Sequence, residues 1–217
     1  MLRGVNFQIA PRAVTGLIGP NGSGKTTLLE CVAGILDATS GEVLVGARSV
    51  PVSRRKDELF LMPESVRPWP EQQVAWALSY FRTVHAASEM RVAGLIGALA
   101  LTSLLPSRMH QLSKGEHRRV LLAMALMTSH PVLLLDEPFD GLDLRQTRDV
   151  KALLRAEAAG GRSLLLSIHQ LHDAGTVCDH LVLLSDGVVV GEGSLPELRA
   201  RVGDDHASLD EVFLALT

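Results

Sequence analysis

This chain of 217 residues is poor in cysteine, and the placement of its cysteines excludes two kinds of small protein. Cys31 and Cys178 are the only two, and neither belongs to a C-x-x-C pair. A disulfide framework or a cysteine-based zinc site requires several cysteines at short spacings. The sequence therefore predicts a protein of a reducing, cytoplasmic setting.

Long hydrophobic runs and a basic excess are also missing. The formal net charge is −3, so electrostatics gives no support for nucleic-acid binding. The longest uncharged apolar stretch, Val92–Leu105, is interrupted by glycines and closed by Pro106, which makes it too short for a membrane span. Met1–Phe7 lacks the charged leader and apolar run of a secretory signal. If a membrane is involved, we expect another chain to cross it.

The sequence does contain enough hydrophobic residues, 47%, for a sizeable core. Apolar runs that predict buried strands alternate with helical patterns, notably Gly115–Met127 and Arg145–Ala159, and this alternation indicates an α/β fold with a mostly parallel sheet. The strand candidates are Ala13–Ile18, Val43–Val45, Leu59–Met62, Val132–Asp136, Ser163–Ile168 and Leu181–Leu184.

Two features modify this α/β pattern. Glu71–His85 and Ser88–Leu101 predict a pair of helices inserted into the core, and Val182–Val190 predicts a β-hairpin with an Asp-Gly turn. We therefore expect a single domain over residues 1–217. Its core would comprise about 1–64 and 113–217, and its helical subdomain about 65–112.

A glycine-rich segment between a predicted strand and a predicted helix fits the phosphate-loop pattern G-x-x-x-x-G-K-[ST]. Such a loop aims backbone N–H groups and a helix N-terminus at one point, where the phosphates of a nucleoside triphosphate would fit. Lys25 would reach the β- and γ-phosphates, and the Thr26 hydroxyl would bind Mg²⁺. The alternative is an ordinary glycine turn. The segment consists of Gly19, Pro20, Asn21, Gly22, Ser23, Gly24, Lys25, Thr26 and Thr27.

Two acids end the apolar strand Val132–Asp136. A buried carboxylate at a strand end needs a partner, and a Mg²⁺ ion held by Thr26 and the nucleotide would provide one. We assign Asp136 to the metal and Glu137 to the polarisation of the attacking water. The alternative is a strand end whose acids face solvent.

A histidine, His169, ends the next apolar strand. At this edge of the sheet it could hydrogen-bond the γ-phosphate and the attacking water. A surface histidine at a strand end is the ordinary alternative. A metal cluster with His172 and His180 is disfavoured, because no ligand spacing supports it.

A serine and a glycine, Ser113 and Gly115, stand where the helix Gly115–Met127 begins. Such residues can offer a hydroxyl and N–H groups to an anion. Ser113 can also act as a plain N-cap, with Glu116 completing a capping box. The two interpretations can hold together.

In order and spacing, these segments resemble the ATP-binding cassette (ABC) family over essentially the whole chain. Phosphate loops also occur in kinases and GTPases, but those families leave the segment around Ser113 unexplained, and the chain has no N-K-x-D motif. The matching segments are Gly19–Thr27 (Walker A), Leu112–Glu116 (signature), Val132–Glu137 (Walker B), Asp140–Asp143 (D-loop) and His169 (switch histidine).

The resemblance implies an ATPase that powers a membrane transporter. Two cassettes, identical or different, would stack head to tail, so that Ser113 and Gly115 contact the γ-phosphate of the ATP held by the other subunit. Asp143 would belong to the nucleotide site. The helical insertion would dock on an integral membrane permease, at the cytoplasmic face of the membrane. The segment Leu61–Glu64, the compact insertion and the tail Leu209–Thr217 resemble export-type members. A cassette ATPase acting on nucleic acid or ribosomes is the alternative, although the chain has no basic extension or tandem cassette.

Three departures from the family pattern stand out. Glu64 occupies a position where most members carry glutamine; it could bind Mg²⁺ or orient water, or be an exposed loop acid. Lys114 replaces the first glycine of the signature. No aromatic residue precedes Gly19 at the distance usual for stacking on adenine, and Phe7 fits a core position better. Adenine would then be held weakly, by another group, or by residues upstream of Met1.

Two surface features receive the more ordinary interpretation. Helical spacing predicts that Trp76 and Tyr80, with Trp69 and Phe81, form the core of the helical insertion rather than a docking surface. The charged run Arg54–Glu58 predicts a solvated loop.

Overall fold

A computed structural model describes residues 1–217 and contains a six-stranded sheet in the order β4-β5-β6-β1-β7-β8. The first five of these strands are parallel, and β8 pairs antiparallel with β7. A separate two-stranded ribbon pairs β2 with β3. The strands are β1 Val14–Ile18, β2 Leu44–Val45, β3 Arg48–Ser49, β4 Leu59–Met62, β5 Val132–Asp136, β6 Ser163–Ile168, β7 His180–Ser185 and β8 Val188–Gly193.

Nine α-helices connect and cover these strands. Several begin at a serine or aspartate whose side chain accepts a hydrogen bond from the first turn, which satisfies an otherwise unpaired N–H group. The helices are α1 Lys25–Ala33, α2 Val52–Glu58, α3 Val74–Val84, α4 Glu89–Ala98, α5 Lys114–Met127, α6 Leu144–Ala159, α7 Leu171–Val177, α8 Leu195–Val202 and α9 Leu209–Leu216.

The central strands are apolar because both faces of the sheet are covered. Leu164 and Leu166 of β6 join a cluster of 36 buried residues, whereas Leu165, which points the other way, joins a second cluster of eight. Side chains alternate between the faces of a strand, so a continuous apolar run fills two cores at once. The predicted α/β fold with a mostly parallel sheet is confirmed.

The order of the strands brings the sequence motifs to one edge. β1 lies between β6 and β7, and β5 lies on the other side of β6. Because these strands are parallel, the carboxyl ends of β1, β5 and β6 meet at the same edge of the sheet. Ligands of open α/β sheets bind at this edge.

The predicted hairpin is also confirmed. β7 and β8 are joined by Asp186 and Gly187, which have φ angles of 47° and 80°. Two residues with positive φ match the twist of a tight hairpin, and glycine adopts that conformation at little cost.

The prediction of a solvated loop over Arg54–Glu58 is wrong, because this run forms most of α2. Arg55 is buried, and its guanidinium donates to the carbonyl of Cys31 at 2.7 Å. This bond satisfies a carbonyl at the end of α1, so one charge in the run holds two helices together.

The prediction that all four aromatic residues form the core of the helical insertion is also wrong. Trp76 and Tyr80 are 43% and 47% exposed, and their rings stack on each other with centroids 5.2 Å apart. Trp69 packs edge-on against both, while Phe81 packs against Phe60.

No helix in the chain is both long and apolar enough to cross a membrane.

Candidate active site

The phosphate loop turns sharply between β1 and α1, and close packing explains its glycines. A Cβ atom on Gly19 would lie 2.1 Å from the carbonyl oxygen of Leu184, so no other residue fits there. Gly24 caps α1 with a φ of 106°, a conformation that favours glycine. The first N–H groups of α1 have no side-chain cap, which leaves them available to an anion.

Lys25 lies inside this loop rather than in solvent. Its side chain is 7% exposed, and its ammonium donates to the carbonyl oxygens of Gly19 and Pro20 at 2.8 and 3.3 Å. The same nitrogen is 4.0 Å from a carboxylate oxygen of Glu137. The loop and the end of β5 therefore meet at the lysine.

Asp136 ends β5 as a buried carboxylate with two hydroxyl partners. The Thr26 hydroxyl donates to one oxygen at 2.9 Å, and the Ser167 hydroxyl donates to the other at 2.5 Å. A buried carboxylate beside a threonine hydroxyl is a set of hard oxygen donors, the kind that Mg²⁺ prefers. Two of the three residues predicted to bind the metal, Thr26 and Asp136, therefore fit a magnesium ion.

Glu137 has the most unusual backbone of the site. Its φ is 49°, in the left-handed region that non-glycine residues rarely adopt, and its N–H donates to the Ser167 hydroxyl at 2.8 Å. One carboxylate oxygen lies 2.6 Å from Nδ1 of His169, the residue directly after β6. Burial raises the pKa of Glu137, and the neighbouring His169 and Lys25 oppose that shift. A carboxylate with a raised pKa is suited to accept a proton near neutral pH.

The signature segment carries both features proposed for it from sequence. The Ser113 hydroxyl accepts a hydrogen bond from the N–H of Glu116, and the Glu116 carboxylate accepts one from the N–H of Ser113, so the capping box is present. A Cβ atom on Gly115 would lie 2.2 Å from the carbonyl oxygen of Gly141. The absence of a side chain at Gly115 therefore lets the start of α5 pack closely against the turn after β5. Lys114 forms an ion pair with Asp140 in this turn.

The structure brings together one group of the predicted site residues and leaves another outside it. Lys25, Thr26, Asp136, Glu137 and His169 form one contiguous set. The hydrogen bonds of Ser113 and Asp143 stay within the caps of α5 and α6. Glu64 is exposed after β4, and its side chain makes no hydrogen bond or ion pair.

Sequence reasoning missed two residues of the site. Ser167 connects Asp136 and Glu137, and its signal was a serine within an apolar strand, because a buried hydroxyl needs partners. Arg118 is 3% exposed and donates to the carbonyl oxygens of Asp136 and Glu64. Nothing in the charged start of α5 distinguishes Arg118 from its neighbours.

Comparison with known proteins decides the family. The family model described as "ABC transporter" matches residues 2–140. The chain belongs to the ABC transporter family. The segments Gly19–Thr27, Leu112–Glu116 and Val132–Glu137 lie within the matched residues.

Relatives and solved structures agree with this assignment. The chain is 28% identical to the ABC-type transporter ATP-binding protein EcsA of Bacillus subtilis, over 100% of this chain and 90% of that protein. It is 31% identical to the lipopolysaccharide export system ATP-binding protein LptB of Acidithiobacillus ferridurans, over 91% of this chain and 86% of that protein. A solved structure of an ATP-binding subunit of an ABC transporter superimposes with a TM-score of 0.89 at 27% identity, over 99% of this chain and 92% of that one.

Proposed function

We propose that this ABC cassette hydrolyses ATP to power a membrane transporter, and that it is the subunit of an exporter. The observation that carries the proposal is the set formed by Lys25, Asp136, Glu137 and His169 at the carboxyl edge of the sheet. A loop for phosphates, a carboxylate for a metal and a carboxylate with a raised pKa are the parts that phosphoryl transfer to water requires.

ATP would bind with its phosphates in the loop Gly19–Thr27. The N–H groups at the start of α1 would face the phosphates, and Lys25 would exchange its loop carbonyls for phosphate oxygens. Thr26 and Asp136 would hold Mg²⁺, which supplies charge neutralisation at the phosphates when bound. Glu64, at the carboxyl end of β4, is proposed as a further contributor near the metal.

Glu137 would accept a proton from the attacking water. As the water oxygen forms a bond to the γ-phosphorus, the bond to the β,γ-bridging oxygen breaks, and ADP leaves with that electron pair. His169 contacts Oε2 of Glu137, so it fixes the direction in which the carboxylate faces. Most of the catalysis would come from positioning and charge rather than from covalent chemistry.

A second cassette would complete the site. Ser113 and Gly115 are at the N-terminus of α5, a 14-residue helix whose dipole favours a negative charge at that end. In a head-to-tail dimer this end would face the γ-phosphate bound by the other subunit, and Asp143 would lie near the same nucleotide. Whether the second subunit is another copy or a different cassette, the sharing of each ATP is the same.

A membrane permease is the proposed partner of the helical subdomain, residues 65–112. An apolar groove lies between β4, the following loop and the start of the subdomain, and Trp76 and Tyr80 are exposed beside it. Exposed apolar surface of this kind marks a site for a protein partner. We place the subunit on the cytoplasmic face of the membrane, where its ATP is. The groove is lined by Phe60, Met62, Val66, Trp69, Leu121 and Met124, among others.

The test compares ATP turnover with ATP binding. Glu137→Gln is expected to reduce turnover by at least about a thousandfold, because the water loses its base, while ATP is still bound. Lys25→Ala is expected to weaken binding itself. Wild-type turnover by Glu137→Gln would remove Glu137 from the mechanism. Recovery of nucleic acid, and of no membrane protein, with the purified chain would favour the alternative of an ABC ATPase acting on nucleic acid or ribosomes.

A further inference from the structure

Arg118 links three segments of the site through its buried guanidinium. It lies on α5, three residues after Gly115, and is 3% exposed. Nη1 donates to the carbonyl oxygen of Asp136 at 3.1 Å, and Nη2 donates to the carbonyl oxygen of Glu64 at 3.3 Å. The signature helix, the end of β5 and the loop after β4 are therefore held by one side chain.

The surroundings of this guanidinium are acidic. Burial lowers the pKa of Arg118, and the carboxylates of Asp140, Glu64, Asp136 and Glu137 oppose that shift, in that order of size. An arginine stays charged in proteins, so Arg118 is a fixed positive charge among the acids that surround the nucleotide. Its two hydrogen bonds go to main-chain carbonyls, so the charge itself is balanced by carboxylates that it does not touch.

The carboxylate of Glu64 is the negative charge that Arg118 is placed to balance. Glu64 follows β4 by two residues, so it adds a negative charge at the carboxyl edge of the sheet, where the triphosphate would bind. An additional carboxylate next to phosphates is unfavourable unless a cation compensates for it. Arg118 contacts the main chain of Glu64 itself and is the cation placed to do so.

We propose that Arg118 is a positioning residue for ATP hydrolysis, which fixes the spacing between the main chains of Glu64 and Asp136 and balances the charge of Glu64. The inference rests on the proposed function. It predicts that the effects of changing Arg118 and Glu64 are coupled, because removal of the cation leaves the Glu64 charge uncompensated. Residues that act independently show additive effects instead.

The experiment is a double-mutant cycle of Arg118→Gln and Glu64→Gln, with kcat/KM for ATP and the melting temperature measured for each variant. Arg118→Gln is expected to lower kcat/KM by about tenfold or more, and Glu64→Gln alone by a few fold. In the double variant, Glu64→Gln is expected to restore kcat/KM by about threefold or more over Arg118→Gln alone. Arg118→Lys, which keeps the charge, is expected to retain more activity than Arg118→Gln.

Arg119 provides the matched control. It is the next residue of α5, is also buried, and also donates to two main-chain carbonyls, those of Leu99 and Ala100, which carry no charge. Arg119→Gln is expected to lower the melting temperature, but Glu64→Gln should not rescue it. A general loss of packing would affect the two arginines alike.

Several results would overturn the proposal. Strict additivity of the two substitutions would do so, as would wild-type kcat/KM in Arg118→Gln or an equal rescue of Arg119→Gln. If Arg118→Gln does not fold alone, the double variant decides, because folding restored by Glu64→Gln supports charge balance and continued failure contradicts it. Absence of ATPase activity in the wild-type chain would instead count against the proposed function.

Discussion

At the scale of single residues, Glu137 combines a strained backbone with the central chemical role in the proposed mechanism. A non-glycine residue in the left-handed region costs roughly 1–3 kcal/mol and persists only where its surroundings hold it. Here the Ser167 hydroxyl accepts from its N–H, and His169 contacts its carboxylate. These partners hold the carboxylate close to the phosphate loop, where Lys25 lies.

The raised pKa of Glu137 predicts the pH dependence of turnover. Because the base must be ionised, kcat should rise with pH through the pKa of Glu137, which burial places above the ordinary value of a glutamic acid. The acid limb of the profile should therefore lie above the range of an exposed carboxyl. Steady-state rates across pH test this, and Glu42→Gln on an exposed loop should leave the profile unchanged. An acid limb at the ordinary glutamic acid value would contradict the assignment.

The raised pKa of Glu137 also predicts that the stability of the fold depends on pH, in the direction opposite to that of turnover. The folded state holds the Glu137 proton more tightly than the unfolded state, so this group favours folding at low pH, and that contribution is lost as the pH rises through the folded-state pKa. Glu137→Gln should therefore melt at a higher temperature than the wild type at about pH 8, and the gain should shrink toward about pH 4. A constant difference across pH would show that desolvation of the charge is not the cause.

Individual residues differ in how far the sequence predicts them. Asp136 and Glu137 could be placed because an apolar strand that ends in two acids already defines their position along the chain. The roles of Ser167 and Arg118 could not, because their partners are 31 and 54 residues away and depend on how strands and helices meet. A serine within an apolar strand signals that its buried hydroxyl needs partners, but a hydrogen bond between distant segments leaves no local signal of which partners these are.

At the scale of elements, the N-terminus of α5 has a structural role, as a capped helix end, and a proposed functional role, in contacting ATP. Its N-cap, Ser113, forms a reciprocal pair with Glu116. A hydroxyl that caps a helix stays beside the N–H groups that would face an anion. The cap is therefore compatible with the trans contact to ATP that we propose, and stability and turnover should both depend on Ser113.

Substitution of Ser113 separates these two roles when it is compared with a second cap. Ser113→Ala should cost about 1 kcal/mol of stability through the lost cap, and should also reduce ATP turnover by at least about tenfold. Ser208 caps α9 in the same way, with Glu211 as its partner. Ser208→Ala should lose similar stability and keep its turnover. Thermal melts first establish that the two variants have lost similar stability. Equal turnover in the two variants would then contradict the contact of Ser113 with the ATP bound by the other subunit.

Whole elements follow from the sequence where their cause is local. β4, β5 and β6 begin and end as predicted, because each is an apolar run that is buried on both faces. The helix α2 was missed because a short charged segment has no apolar periodicity, and its burial depends on one arginine that caps α1. Trp76 and Tyr80 have core-like spacing on α3, yet their rings are exposed, since nothing in this chain covers them.

At the scale of the whole molecule, the surface divides into two proposed interfaces. One lies at the carboxyl edge of the sheet, where His169, Asp140 and the exposed Leu144 surround a cleft beside Glu137. The other is the apolar groove beside β4 and α3. A force-transmitting ATPase needs both, since nucleotide and membrane partner must act on the same domain.

The second interface is tested by a change that leaves the ATP site alone. Trp76→Ala removes an exposed ring that stacks on Tyr80, so association with the permease should weaken by about tenfold while the isolated subunit keeps its turnover. Co-purification with the membrane partner measures this. Met90→Ala, on the neighbouring helix and 86% exposed, is the control and should bind normally. Unchanged association of Trp76→Ala would remove the aromatic pair from the interface.

Whether two cassettes bind each ATP between them is tested by the molecular mass in solution of Glu137→Gln, with and without ATP and Mg²⁺, by sedimentation. We expect one copy of the chain without nucleotide and two copies with it, and we expect the further substitution Ser113→Arg to prevent formation of the dimer. If Glu137→Gln binds ATP and still sediments as a single copy, two cassettes do not share each ATP.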